Sequence, residues 1–237
     1  MKILNIKQTD LEHYKFINNG SEAKIYRRGN NIIKVYEEPN EYAAKKIKYL
    51  CKLQQNIKKT KLPYGIVNID NKFSGCIQEY FNEYNELNIL SSLSVDENIF
   101  FCRMFLENLD ELIQNKIYPI DLFYGNVLVS PLKKDIQIID LDGKGSLIKK
   151  NNNKRILQKT LELYLSIVLE SLFYKDLDKI GYGNYTSLLT KYRFKYDYVD
   201  IIFKNKLSLD FLYEFLEYIL KDKKYIFDNN SKILKLN

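Results

Sequence analysis

The sequence predicts an α+β chain in two parts: a five-stranded antiparallel N-terminal lobe with one helix over residues 1–81, then a mainly helical C-terminal lobe over residues 82–237. Three observations lead there. β-Branched and aromatic runs separated by short polar turns fill the first third of the chain. Apolar residues then recur at helical spacing through most of the remainder. One short hairpin pattern interrupts that helical part, between Val127 and Ile139.

In chain order, His13 to Asn18 and Ala23 to Arg28 flank the polar turn Asn19-Gly20-Ser21-Glu22. A second turn, Gly29-Asn30-Asn31, leads into the β-branched run Ile32 to Tyr36. Pro39-Asn40 opens a helix to about Gln55, with Ala43, Ile47 and Leu50 on one face. Gly65 to Ile69 and Phe73 to Phe81 flank Asp70-Asn71-Lys72 and complete five strands. Phe100, Met104, Phe105, Leu109, Leu112 and Ile113 mark an amphipathic helix that must stop before Pro119. The strands Val127 to Val129 and Ile136 to Ile139 come next. The last elements are an apolar helix from about Arg155 to Phe173 and a final helix from about Leu209 to Lys221, with Ser208 as its N-cap.

Composition removes several classes of function. Hydrophobic residues make up 46% and charged residues 28% of 237, the balance of a folded domain and not of a disordered chain. The single histidine, His13, and three scattered cysteines (Cys51, Cys76, Cys102) all but exclude a zinc site, and a hydrolytic triad would have only His13 as its base, with no nucleophile near it in sequence. They suit a reduced, cytoplasmic protein with free thiols. The N-terminus is too polar for a leader, and Lys159, Glu162 and Glu170 break the most apolar run, so no membrane partner is expected. A net charge of +7 attracts phosphate-bearing partners in general. The densest basic clusters, Lys45-Lys46-Lys48 and Lys149-Lys150, read as solvated faces, and a nucleic-acid partner is not expected on charge alone.

The chemistry concentrates in Asp121-Leu122-Phe123-Tyr124-Gly125-Asn126, followed after the hairpin by Ile139-Asp140-Leu141-Asp142-Gly143. Asp121 and Asn126 precede one strand and Asp140 follows the next, so the hairpin mouth collects hard oxygen donors of the kind Mg²⁺ requires.

At this point the sequence resembles the protein-kinase-like superfamily, which includes eukaryotic-type protein kinases and the aminoglycoside-phosphotransferase group. Asp121 to Asn126 is similar to the catalytic loop H-R-D-x-x-x-x-N, and Asp140-Leu141-Asp142 to the D-F-G position. Ile17 to Tyr26 is similar to the glycine-rich loop, with Gly20 alone of its three glycines; Ile33-Lys34-Val35 is similar to the strand that carries the V-A-I-K lysine. The resemblance spans about Ile17 to Gly143 and implies a bilobal kinase-like fold and transfer of the γ-phosphate of ATP. It implies Asp121 as the group that positions or deprotonates the acceptor hydroxyl, and Asn126 and Asp140 as Mg²⁺ ligands. Gly20 and Ser21 would cradle phosphate, Lys34 would contact the α- and β-phosphates, and the backbone of Glu79 to Phe81 would hold adenine.

Several positions depart from that pattern. Pro119 and Ile120 replace the His and Arg of the catalytic loop, and Phe123 replaces a lysine that neutralises the transferred group. Glu41 is the candidate partner for Lys34 from the helix, with Glu37, Glu38 or no partner as alternatives. Little chain separates Gly143 from the helix near Arg155, so no long activation segment and no A-P-E motif are expected. The acceptor, a protein or a small molecule, would meet the segment from about Lys175 to Lys206, rich in Tyr182, Tyr185, Tyr192, Tyr196 and Tyr198. The alternative to an active kinase is a pseudokinase that serves as a nucleotide-binding or interaction module.

Overall fold

The computed structural model describes residues 1–149, 153–172, 201 and 207–221. The structure is α+β, with a mixed six-stranded sheet, two small sheets and long helices. The first part runs β1 (Lys2–Ile6), a 3-10 segment (Gln8–His13), β2 (Lys15–Asn19), β3 (Ala23–Arg28), β4 (Asn31–Tyr36), α1 (Glu41–Leu53), β5 (Gly65–Ile69) and β6 (Lys72–Glu79). The sheet order is β1-β5-β6-β4-β3-β2.

Five of these strands lie where turn chemistry and β-branched runs put them, and they pair antiparallel. The sixth, β1, corrects the five-stranded expectation. It pairs parallel with β5, from Lys2 opposite Gly65 to Ile6 opposite Ile69. A parallel edge strand has no local turn to announce it. Only Ile6 in β1 is buried, with Leu4 half-buried and Ile3 exposed, so its alternation is faint.

The sheet's two faces do different work. Ile33 and Ile77 are register partners, as are their neighbours Lys34 and Cys76. Successive side chains of a strand point to opposite faces. Ile33 and Ile77 therefore join Ile6, Leu11, Val67 and Ile69 in an outer apolar cluster. Lys34, Cys76 and Gln78 turn to the inner face, where α1 packs Ile47 and Leu50 into the main core. The close approach of β4 to β6 depends on Gly75: a β-carbon there would stand 1.8 Å from the Lys34 carbonyl oxygen. Gly75→Ala is expected to lower the stability by about 1–3 kcal/mol, as overpacking does, read from urea unfolding midpoints.

The second part contains β7 (Asn85–Glu86), a 3-10 segment (Leu87–Ser92), α2 (Val95–Gln114), β8 (Ile117–Pro119), β9 (Val127–Ser130), β10 (Asp135–Ile138), β11 (Ser146–Ile148), α3 (Lys154–Leu172) and α4 (Leu209–Lys221). α2 starts at a capping box: Glu97 N donates to Ser94 Oγ at 3.3 Å, and Ser94 N donates to Glu97 Oε2 at 2.9 Å. Phe105, Leu106, Leu109 and Leu112 of α2 are fully buried, and Asn108 Nδ2 donates to the Ile136 carbonyl at 2.8 Å, tying the helix to β10. Tyr164 of α3 donates to the Cys102 carbonyl of α2 at 2.8 Å. Ser208 caps α4 by accepting from Phe211 N at 3.0 Å. The short strands β7, β8 and β11 were not foreseen; each has two or three residues, too few for a periodic signal.

Cys76 and Cys102 are buried free thiols and Cys51 is half-buried. Among the described residues no helix is long and apolar enough to cross a membrane. The expected acceptor segment 175–206, apart from residue 201, lies outside the described residues, its five tyrosines included, as does Phe173 at the expected end of α3.

Candidate functional site

The β9–β10 hairpin assembles the first half of the site. Its ladder pairs Val127 with Ile138, and Ile139 N donates to the Asn126 carbonyl at 2.9 Å. Asn126 and Asp140 therefore leave the hairpin side by side. Asn126 is buried, and its Nδ2 donates to the Asp121 carbonyl at 2.9 Å, closing the loop from 121 to 126. The amide oxygen of Asn126 remains as its acceptor end.

Gly145 joins this loop to Asp140. Its carbonyl accepts from Ile120 N at 2.9 Å and Asp121 N at 3.3 Å. On its other side, an added β-carbon would stand 2.6 Å from the Asp140 carbonyl oxygen. Asp140 adopts a left-handed backbone with φ of 61°, a conformation that costs a side-chain-bearing residue about 1–3 kcal/mol and persists where the surroundings hold it. Asp121, Asn126 and Asp140 thus converge on one mouth, with the Asp121 side chain facing solvent.

The second half comes from the inner face of the sheet. Lys34 Nζ donates to Asp140 Oδ1 at 2.5 Å and to Asp142 Oδ1 at 2.8 Å. Asp142 is only 2% exposed, and it also accepts from Tyr36 OH at 2.6 Å, Gln78 Nε2 at 3.1 Å and Cys76 Sγ at 3.4 Å. Burial alone would push the Asp142 carboxyl up; the Lys34 ammonium and the hydrogen bonds from Lys34, Tyr36 and Cys76 outweigh it and hold the carboxyl below its ordinary value. For Lys34, burial pulls the other way, and Asp142 with Asp140 keeps the ammonium charged, above its ordinary value. Burial raises the Tyr36 hydroxyl and the Cys76 thiol, so both stay protonated as donors.

Glu41 is not the partner of Lys34. It pairs with Lys45 at 2.7 Å, and its side chain is 83% exposed. The helical period explains this, because Ala43, Ile47 and Leu50 turn inward and Glu41 falls on the opposite side. The same period overturns the solvated reading of Lys46, which is 7% exposed. Lys46 stands three residues after Ala43, and its Nζ donates to the carbonyls of Gly143 and, at 2.7 Å, Ser146. Burial pulls its pKa down to about 8, helped by the nearby Lys34 ammonium and opposed by Asp142, Asp140 and Glu22, which raise it.

Gly20 closes its turn by donating to the Ala23 carbonyl at 2.9 Å. Beyond Ser21, the Glu22 carboxylate at the turn tip accepts from Lys144 N at 3.0 Å and meets Lys144 Nζ at 3.4 Å. Ser21 and Glu22 line a cavity of about 570 Å³ together with Tyr36, Lys46, Asp142 and Gly143. Glu79 ends β6 and lines a second cavity of about 450 Å³ with Gln54, Lys61 and Tyr64. After it, Tyr80 N donates to the Asn30 carbonyl at 3.0 Å, and Phe81 packs edge-on to Tyr84.

Among the described residues no group of three or more His, Cys, Asp or Glu side chains is placed to hold a metal. The donors at the mouth are the Asn126 amide oxygen and the Asp140 carboxylate. That set fits Mg²⁺, which keeps several waters and takes one or two protein oxygens beside substrate phosphates. Sequence reasoning missed Tyr36, Gln78, Asp142 and Lys46. Period-two spacing from Lys34 and Cys76, and period-three spacing from Ala43, would have pointed to three of them. No protein-family model matches the chain, and no curated protein matches its sequence.

Proposed function

We propose that the chain is a bilobal, protein-kinase-like phosphotransferase that moves the γ-phosphate of ATP to a hydroxyl of a protein or small molecule. The observation that supports this best is the meeting of Lys34, from the inner face of the sheet, with Asp140 at the hairpin mouth, where Asn126 also binds the Asp121 backbone. A buried lysine suits phosphate oxygens directly, and a carboxylate with an amide oxygen suits the Mg²⁺ that would accompany them.

In this reading Lys34 contacts the α- and β-phosphates, the turn at Gly20 and Ser21 lets phosphate approach the backbone closely, and the backbone of Glu79 to Phe81 holds adenine. Asn126 and Asp140 would hold Mg²⁺, which would neutralise phosphate charge. The acceptor oxygen forms a bond to the γ-phosphorus as the bridging P–O bond breaks, and ADP leaves with that electron pair. The Asp121 carboxylate, free toward solvent, orients the acceptor hydroxyl and takes its proton.

A second reading has one observation in its favour: Phe123, half-exposed beside Asp121, brings no cation to the transferred group. A nucleotide-binding module without transfer would tolerate that. Purified protein with Mg²⁺ and γ-labelled ATP, alone and with a lysate of its source, separates the two when run beside Asp121→Asn. Transfer that vanishes in the variant is the expected result. A folded sample that neither transfers label nor releases ADP would overturn the enzyme and leave the binding module. Asp140→Asn is expected to lower turnover by about 10²-fold or more and to raise the Mg²⁺ needed for half-maximal ADP release.

A further inference from the structure

In the resemblance, the helix of the N-terminal lobe lends an anion to the strand lysine. Here the exchange is reversed: the anion comes from Asp142, and the inward face of α1 carries a cation, Lys46. The Lys46 ammonium binds the carbonyls of Gly143 and Ser146, which bracket Lys144 and Gly145. Gly145 is the residue whose carbonyl takes the amides of Ile120 and Asp121, and at which an added β-carbon would stand 2.6 Å from the Asp140 carbonyl oxygen. One ammonium therefore fastens the short segment that sets the distance between Asp121 and Asp140.

We infer that Lys46 is a positioning residue for phosphoryl transfer, through which α1 holds Gly143 to Ser146 and with it the relative placement of Asp121 and Asp140. The inference rests on the phosphotransferase reading. A cation is an inefficient choice if the position served stability alone. An ammonium buried against neutral carbonyls loses more hydration than a methionine or leucine would, and the depressed pKa of Lys46 shows that the site disfavours its charge. That sign has a consequence. Where the unfolded chain binds the Lys46 proton and the folded chain does not, between about pH 8 and the ordinary lysine range near 10.4, stability from this group rises with pH.

A purely structural clamp and a positioning residue thus differ in what their removal does. Lys46→Met is expected to shift the thermal midpoint little, because relief of the buried charge offsets the two carbonyls left without their donor, while kcat falls at least about 30-fold and the KM for ATP changes less than about threefold; the size matches a misplacement of reacting groups by a fraction of an ångström. Lys46→Arg, which stays charged, is expected to recover at least a tenth of the lost kcat. Lys45→Met, on the exposed side of the same helix, is expected to match the unmodified protein. A pH profile gives a further readout. The kcat of the unmodified protein is expected to decline as pH rises through about 8, and the Lys46→Arg profile to stay level there. The charged groups facing Lys46 are Asp140, Asp142 and Lys144 after β10, Glu22 between β2 and β3, Lys34 of β4, and Glu37 and Glu38 before α1.

The inference is overturned if Lys46→Met turns over within threefold of the unmodified protein. It is also overturned if the variant loses activity only in step with a lowered thermal midpoint and Lys46→Arg recovers none of it. If the unmodified protein itself shows no ADP release, the phosphotransferase reading falls and takes this inference with it, an outcome recognisable before any variant is made.

Discussion

Asp121→Asn is expected to fold and bind nucleotide as the unmodified protein does, and to lose about 10²- to 10⁴-fold in turnover, the range for removing a positioned general base. The main chain of this residue is held without its side chain: Asp121 N donates to Gly145, and its carbonyl accepts from Asn126 Nδ2. Asn has nearly the same shape, so neither hydrogen bond is disturbed. What is lost is the negative charge that, in the proposed phosphotransferase, accepts the hydroxyl proton. Kinetics of ADP release with the thermal midpoint measured alongside give the check. Unchanged kcat in a folded variant would remove Asp121 from the mechanism and, with it, the main reason to regard this mouth as catalytic.

Asp142→Ala is expected to produce the largest loss of stability, about 3 kcal/mol at the low end of the range for breaking a buried ion pair. The low end applies because Asp140, with a side chain 39% exposed, remains at 2.5 Å from Lys34. The loss comes from Lys34 without its buried counter-charge, and from Tyr36 and Gln78 without their acceptor. Urea unfolding reads it directly. A variant within about 1 kcal/mol of the unmodified protein would show that Asp140 alone balances Lys34. The pH dependence follows from the same pair. A carboxyl held below its ordinary value stabilises fully above the ordinary carboxylate range near pH 4 and loses that contribution as pH falls through its depressed value. The unmodified protein should therefore lose stability in acid more steeply than Asp142→Ala does.

The residues differ in how far local pattern could reveal them. Asp121 and Asn126 lie five positions apart on one loop, and a hairpin returns the chain to Asp140, so one short stretch of sequence contains the geometry of the mouth. Gln78 and Tyr36 sit on strands that were legible, but their inward direction mattered only once Asp142 was known to lie between them. Lys46 was hidden by its neighbours: in a run of lysines, helical phase alone separates the buried one from Lys45 and Lys48, and hydrophobicity argued for exposure.

Local chemistry along the chain was enough to place most strands and helices to within a few residues, the cap at Ser208, and the hairpin that brings the oxygen donors Asn126 and Asp140 together. Each of these depends on residues within a few positions of one another, where backbone sterics and side-chain period act directly. Tertiary structure alone decided that β1 closes the sheet in parallel, that Asp142 and not Glu41 balances Lys34, and that Lys46 turns inward to hold Gly143 and Ser146. Lys34 and Asp142 are 108 positions apart, and Lys46 and Ser146 are 100. At such separations a charge finds its partner through the burial that packing imposes, because an ammonium removed from water must take whichever acceptor the fold brings within reach.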